Sequence, residues 1–120
     1  MLIEEPDALA KTNRINLLFD FYEPLLTEKQ RTFLKYYFHD DYSLGEIAAE
    51  SGISRQAVYE HVKRAEQVLE SYEGKLQLLA KHESRQQHVV ELERSIAELA
   101  VGEDEKKRLL AAIERLTTTE

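Results

Sequence analysis

Gln56, Glu60, Lys63 and Arg64 follow one another at steps of three and four, with Tyr59 beside them. On a helix, steps of that size gather an amide, a carboxylate and two cations on one face. The chemistry open to such a set is the reading of nucleobase edges. A glutamine pairs adenine bidentately, a carboxylate accepts from the cytosine N4 amine, and a lysine or arginine takes guanine or a phosphate oxygen. Glu60 cuts both ways, because a carboxylate without its cytosine faces a wall of phosphates. Arg55 falls in the first turn of the same helix, where it either grips a phosphate or pairs with a carboxylate of the core. Arg31 and Lys35 are four apart, hence side by side, with Lys29 nearby. With the Ser54 hydroxyl they form a candidate set of phosphate contacts, and they fit an ordinary solvated helix face equally well.

No catalytic constellation accompanies these residues. The histidines, His39, His61, His82 and His88, are scattered, and His82 and His88 stand six apart instead of the four that aligns two imidazoles on a metal. The glycines form no phosphate-cradling loop, and no serine has the strand-turn-helix setting of an activated nucleophile. The expectation is a protein that is not an enzyme and uses no metal or cofactor.

Side chains that read bases need a rigid platform, and the flanking residues describe one. Ser43 and Glu46 make a capping box, the hydroxyl accepting a backbone N–H and the carboxylate reaching back to the cap residue. Gly52 supplies the left-handed residue that ends a helix in one step. Ile53 then plugs the corner and Ser54 caps a second helix. Ile47, Ala48, Val58 and Val62 provide the apolar stripe between the two. Caps, turn and stripe agree on a helix-turn-helix. Upstream, Ile15, Leu18, Phe19 and Tyr22 give Lys11 to Tyr22 a helical period that Pro24 stops, whereas Met1 to Leu9 reads as a loose leader. The acidic and aromatic content of that first helix marks it as a packing element, not a nucleic-acid contact. Thr27 with Gln30 makes a second capping box, opening a helix whose inward face holds Phe33, Leu34, Tyr37 and Phe38.

Val58, Val62, Ala65, Leu69, Tyr72, Leu76 and Leu79 then alternate steps of four and three, which is a heptad seam. One helix over 54–80 would be roughly 40 Å long, more than a small head can cover, so its distal apolar residues need another partner. A bend is expected at Gly74. Lys81 to His88 is wholly polar, either an exposed helical bridge or a break near Ser84. Apolar spacing resumes one residue out of register at Val89, Leu92, Ile96 and Leu99, and after Gly102 the residues Leu109, Leu110, Ile113 and Leu116 mark a last amphipathic helix. The fold expected is therefore all-α. A helix-turn-helix domain occupies 1–80, including the long helix 54–80, and a C-terminal helical hairpin occupies 81–120. The distal part of the long helix and the hairpin together join two copies into a homodimer through Leu69, Tyr72, Leu76, Leu79, Val89, Leu92, Ile96 and Leu99.

Sixteen basic against 23 acidic side chains leave a net charge of −7, the wrong sign for a protein whose affinity comes mainly from neutralising phosphates. Distribution softens this. Arg55, Lys63 and Arg64 against Glu60 make 55–64 locally positive, and the acidic excess lies in 1–26 and 83–120. Charges beyond a Debye length of about 8 Å are largely screened at physiological salt. The chain has no cysteine, which excludes disulfides and thiolate metal sites, and no apolar run approaches the ~20 residues needed to span a bilayer. Its acidic start lacks the basic opening of a signal peptide, so a soluble cytoplasmic protein is expected.

Two family patterns share these residues. Gln30-Arg31, Tyr36-Tyr37-Phe38, Ser43-Leu44, Glu46-Ile47-Ala48, Gly52-Ile53-Ser54-Arg55, Val58 and Lys63-Arg64-Ala65 make 27–69 resemble region four of bacterial sigma factors. Lys11-Thr12-Asn13-Arg14 through Glu73, with NLLFDFYEPLLTEKQ, DDYSLGEIA and SRQAVYEHVKR, is more similar still to the YlxM family of small helix-turn-helix proteins, and runs through the first helix that sigma region four lacks. The second resemblance implies an all-helical regulator in or near the signal recognition particle pathway, and it brings no established binding residues. Two functions follow. The first is a DNA-binding regulator. The alternative is a protein- or ribonucleoprotein-interaction module that contacts the protein or the RNA of the signal recognition particle. An unpaired RNA loop stacked on Tyr59 would suit the latter, because a duplex RNA major groove is too deep and narrow for a helix.

Overall fold

A computed structural model describes residues 6–118, and all regular structure among them is helical. Helix α1 is Pro6–Tyr22, α2 is Glu28–Leu34, α3 is Leu44–Ser51, α4 is Arg55–Leu76, α5 is Leu78–Ala97 and α6 is Glu103–Thr118. A 3₁₀ turn, Glu23–Leu25, joins α1 to α2, and α2 runs on into a π-helical turn, Lys35–His39. Helix α1 opens five residues before the expected Lys11: Pro6 stands in the first turn, where its missing N–H costs nothing and its fixed φ suits a helix. Of the expected leader, Met1–Glu5 lies outside the described residues. The chain forms two compact units, Met1–Leu79 and Ala80–Glu120.

Both capping boxes are closed. The Thr27 and Ser43 side chains accept from the Gln30 and Glu46 backbone N–H groups, and those residues' side chains accept in return from the cap N–H. The Glu46 carboxyl is held below its ordinary range by the Ser43 backbone N–H, its largest influence. Gly52 is left-handed at φ +70°, and Ser54 accepts from the Ala57 N–H at 3.1 Å. The pair α3–α4 is thus the expected helix-turn-helix, with Ile47 and Val58 wholly buried between them.

Helix α4 serves two cores in succession. Its near half packs Val58 and Val62 on Phe33 and Ile47, with Tyr36, Tyr37 and Leu44 around them. Its next turns pack Ala65 and Leu69 on Ile15, Leu18, Phe19 and Tyr22 of α1, with Leu26, Leu34 and Leu79. Leu69 and Leu79 are 0% and 2% exposed. This corrects their assignment to an oligomer interface: the partner that the distal seam requires is the chain's own first helix. Burying leucines of this kind stabilises the head by roughly 1.5–3 kcal/mol each.

The single helix over 54–80 is also corrected. It stops at Leu76, and the break falls at Gln77 instead of Gly74, with Gln77 left-handed at φ 56°. The physical cause is a buried polar joint. Tyr22 Oη donates to Glu73 Oε1 at 2.5 Å and accepts from the Leu78 N–H at 3.0 Å, while the same Glu73 oxygen accepts from the Leu79 N–H at 3.1 Å. Two free N–H groups at the start of α5 are therefore satisfied by side chains of α1 and α4, and the chain turns to reach them. Beyond the joint α5 continues without a break, so Lys81–His88 is a helical stretch, exposed except for the half-buried His82. In the second unit α5 and α6 flank Gly102 as expected; Ile96 is its buried side chain among the described residues, and Lys106 Nζ donates to the Ala97 carbonyl at 3.2 Å.

The Tyr22 hydroxyl is pushed above its ordinary range by burial and by the hydrogen bond to Glu73. A phenol whose folded pKa exceeds its unfolded value contributes stability below about pH 10 that is lost as pH rises through the folded value. Tyr22→Phe should cost about 1–3 kcal/mol by leaving Glu73 and the Leu78 N–H short of a partner, and should flatten the alkaline fall in stability. Urea unfolding at pH 8 and above pH 10 checks both.

Candidate nucleic-acid interface

The helix-turn-helix presents the solvent side of α4. Gln56 and Glu60 are exposed and share a 3.4 Å hydrogen bond from Gln56 Nε2 to Glu60 Oε2, and Arg64 is exposed one turn on. Tyr59 is 45% exposed at the edge of the arc. Lys63 belongs to the arc but is drawn toward that edge: its amine stands 5.5 Å from the Tyr59 ring centroid and 3.9 Å from Glu66 Oε2. Arg55 lies over α3 instead of projecting along the arc. Its Nη2 sits 3.0 Å from the point a Cβ on Gly45 would occupy, so the guanidinium lies close against α3 at that glycine. Four side chains, Gln56, Tyr59, Glu60 and Arg64, therefore stand on the arc unaltered, and two, Arg55 and Lys63, are held aside.

The expected phosphate contacts separate in the same way. Lys29 and Lys35 are exposed. Arg31 is corrected: its Nη1 donates to the Leu26 carbonyl at 2.7 Å, closing the turn between α1 and α2. Ser54 Oγ accepts the helix-cap hydrogen bond from the Ala57 N–H, and its O–H remains at the exposed start of α4.

Two features went unassigned in the sequence. His61 stacks on Phe33, with centroids 4.9 Å apart and planes 10° from parallel, in a groove that Lys29 and Arg64 also line. Burial first, then the charges of Lys29 and Arg64, hold its imidazole below the ordinary 6.5. The other is Lys11 of α1, whose amine lies 3.0 Å from Glu66 Oε1, on the same carboxylate that Lys63 approaches. One helical turn away Arg14 makes a forked pair with Glu70, at 2.8 and 2.9 Å.

Of the remaining residues expected at an oligomer interface, Tyr72 is half-buried and gives its hydroxyl to the Leu25 carbonyl at 3.2 Å, and Leu76 is 43% exposed. In the second unit Ile96 is buried, Val89 is half-buried, and Leu92 and Leu99 are exposed. Among the described residues no three His, Cys, Asp or Glu side chains are grouped to hold a metal, and no helix is long and apolar enough to cross a membrane.

A family model described as "Putative helix-turn-helix protein, YlxM / p13 like" matches residues 9–110. The chain belongs to this family. Relatives named UPF0122 protein from Bacillus thuringiensis (strain Al Hakam), Bacillus cereus (strain 03BB102) and Bacillus anthracis (strain A0248) are each 52% identical over 108 residues, covering 90% of this chain and 98% of theirs. The family description names a helix-turn-helix, the motif that α3 and α4 form here. Its match runs through α5 and into α6, so the C-terminal unit is part of the family pattern and not an addition beyond Leu79.

His61 supplies a direct check on this geometry. Its proton resonances should titrate below pH 6.5, and Lys29→Gln should move the midpoint upward by removing one of the charges that depress it. Because the folded imidazole resists protonation, its contribution to stability is present above the unfolded value and is lost as pH falls.

Proposed function

We propose that this protein is a DNA-binding regulator in which α4 enters the major groove. The single observation that carries the reading is the solvent arc of Gln56, Tyr59, Glu60 and Arg64 on a helix fixed at its start by Gly52 and Ser54 and buried on its opposite side. In this arrangement Gln56 reads adenine, Glu60 accepts from cytosine, and Arg64 takes guanine or a phosphate. Arg55, Lys29, Lys35 and the Ser54 hydroxyl flank them toward the backbone, which positions without specifying. The resemblance to sigma region four supports the same docking, and the reading sets the protein in the bacterial cytoplasm, where DNA lies.

The protein works as a homodimer in this reading, because a helix-turn-helix gains affinity from two half-sites. Val90, Leu92, Leu99, Val101, Leu109, Leu110 and Leu116 are each more than a third exposed on a unit with one buried side chain among the described residues. Apolar side chains left exposed in this number on a small helical unit favour an interface there. Leu92→Glu together with Leu110→Glu should yield folded monomers by light scattering, and an unchanged mass would remove the hairpin as the joint.

A second reading is favoured by the charge balance and by Glu60 on the arc: a module that binds a basic protein or a ribonucleoprotein, such as the signal recognition particle. The two readings part in one experiment. A labelled random duplex, the particle's RNA and the particle's GTPase are titrated with the protein at two or more salt concentrations. Four to six phosphate contacts should give a log-log salt slope of about −4 to −5 with the duplex. Absence of duplex binding at low salt, with RNA or protein binding intact, would transfer the function to the second reading.

A further inference from the structure

We propose that Lys11 and Lys63 form a clamp for one backbone phosphate at the edge of the recognition helix, with Glu66 holding both amines from beneath; this rests on the DNA reading above. Helix α1, which the sequence marked as packing alone, then becomes part of the interface.

The geometry is that of a charge sunk below its counterions. Glu66 is a buried carboxylate, its side chain 10% exposed, while those of Lys11 and Lys63 are 48% and 40% exposed. One carboxylate oxygen faces each amine, at 3.0 and 3.9 Å. Two ammoniums thus share one anion, and the side turned to solvent is positive although the chain as a whole carries −7. An approaching phosphate meets the two cations before the carboxylate beneath them.

The cations also sit where a backbone phosphate is needed. Lys63 belongs to the solvent arc of α4, and Tyr59, one turn earlier, stands beside it. Together with Lys11, Thr12 and Tyr37 these residues line a cleft of about 240 Å³ between α1 and α4. Its walls hold Lys63 away from the base-reading direction and toward the flank, which is the direction of the phosphates when a helix lies in the groove. The closeness of the two amines has a chemical trace: the Lys11 amine, then burial, hold Lys63 below the ordinary lysine range, while Lys63 and Glu66 hold Lys11 above it. With two amines over one carboxylate, a phosphate can accept from an ammonium on each of two oxygens.

The test uses the full chain and a labelled random duplex, with fluorescence anisotropy read over a series of salt concentrations. Lys11→Gln should weaken binding and reduce the log-log salt slope by about 0.9, the signature of one lost phosphate contact. Lys11→Arg should restore the slope, and Lys75→Gln, on the far end of α4, should leave it unchanged. Wild-type binding with an unaltered slope in Lys11→Gln overturns the clamp and leaves the DNA reading standing. A weakened affinity at constant slope also overturns it, since that is what a purely structural Lys11–Glu66 pair would give. If the wild-type chain binds no duplex even at low salt, the clamp and the DNA reading fall together.

Discussion

The structure depends on burying one face of α4 from its start to its last turns. Val58 and Val62 are covered by α2 and α3, Ala65 and Leu69 by α1, so a single rod ties the head together while its opposite face is left to solvent. The two coverings support one another. Without α1 the seam at Ala65 and Leu69 would meet water, and without α3 the near turns would lose the wall that aims Gln56 and Glu60 outward. The stiffness of this helix comes from tertiary burial more than from helix propensity.

Electrostatics follows the same division of labour between inner and outer layers. Two of the α4 carboxylates lie low, Glu66 and Glu73, the buried charged residues among those described, and cations or polar hydrogens are arranged above them. Glu66 carries amines; Glu73 carries a phenol and a backbone N–H. A negative total charge is thereby compatible with positive ground beside the arc, because net charge counts residues whereas a ligand meets only those that face it.

Much of this was legible in the sequence because its causes are local. Thr27, Ser43 and Ser54 each announce a helix start through atoms three residues away, and Gly52 announces a stop through its own φ, so α2, α3 and the head of α4 need no tertiary information. The end of α4 was not legible. Gln77 is an ordinary helix former, and its left-handed turn is imposed by Tyr22, which lies far off in the chain; the slip in apolar register before Val89 was its one trace. The role of α1 was obscured for the same reason, since the seam at Leu69 shows that a partner is needed without showing which. In the candidate site the arc itself was readable from helical angle, whereas Arg55 lies against Gly45 of α3 and Lys63 shares Glu66 with Lys11 of α1, neighbours that only the folded chain brings near.

The joint at Tyr22 carries an implication for the order of events along the chain. A helix normally finds its first-turn acceptors within a few residues of its own start, but α5 takes them from a phenol 56 positions upstream and from a carboxylate on the preceding helix. Its opening turn is consequently completed only after α1 has docked, which makes the start of the C-terminal half a reporter of whether the N-terminal half has closed. A ribosome releasing this chain would produce the lock before the bolt.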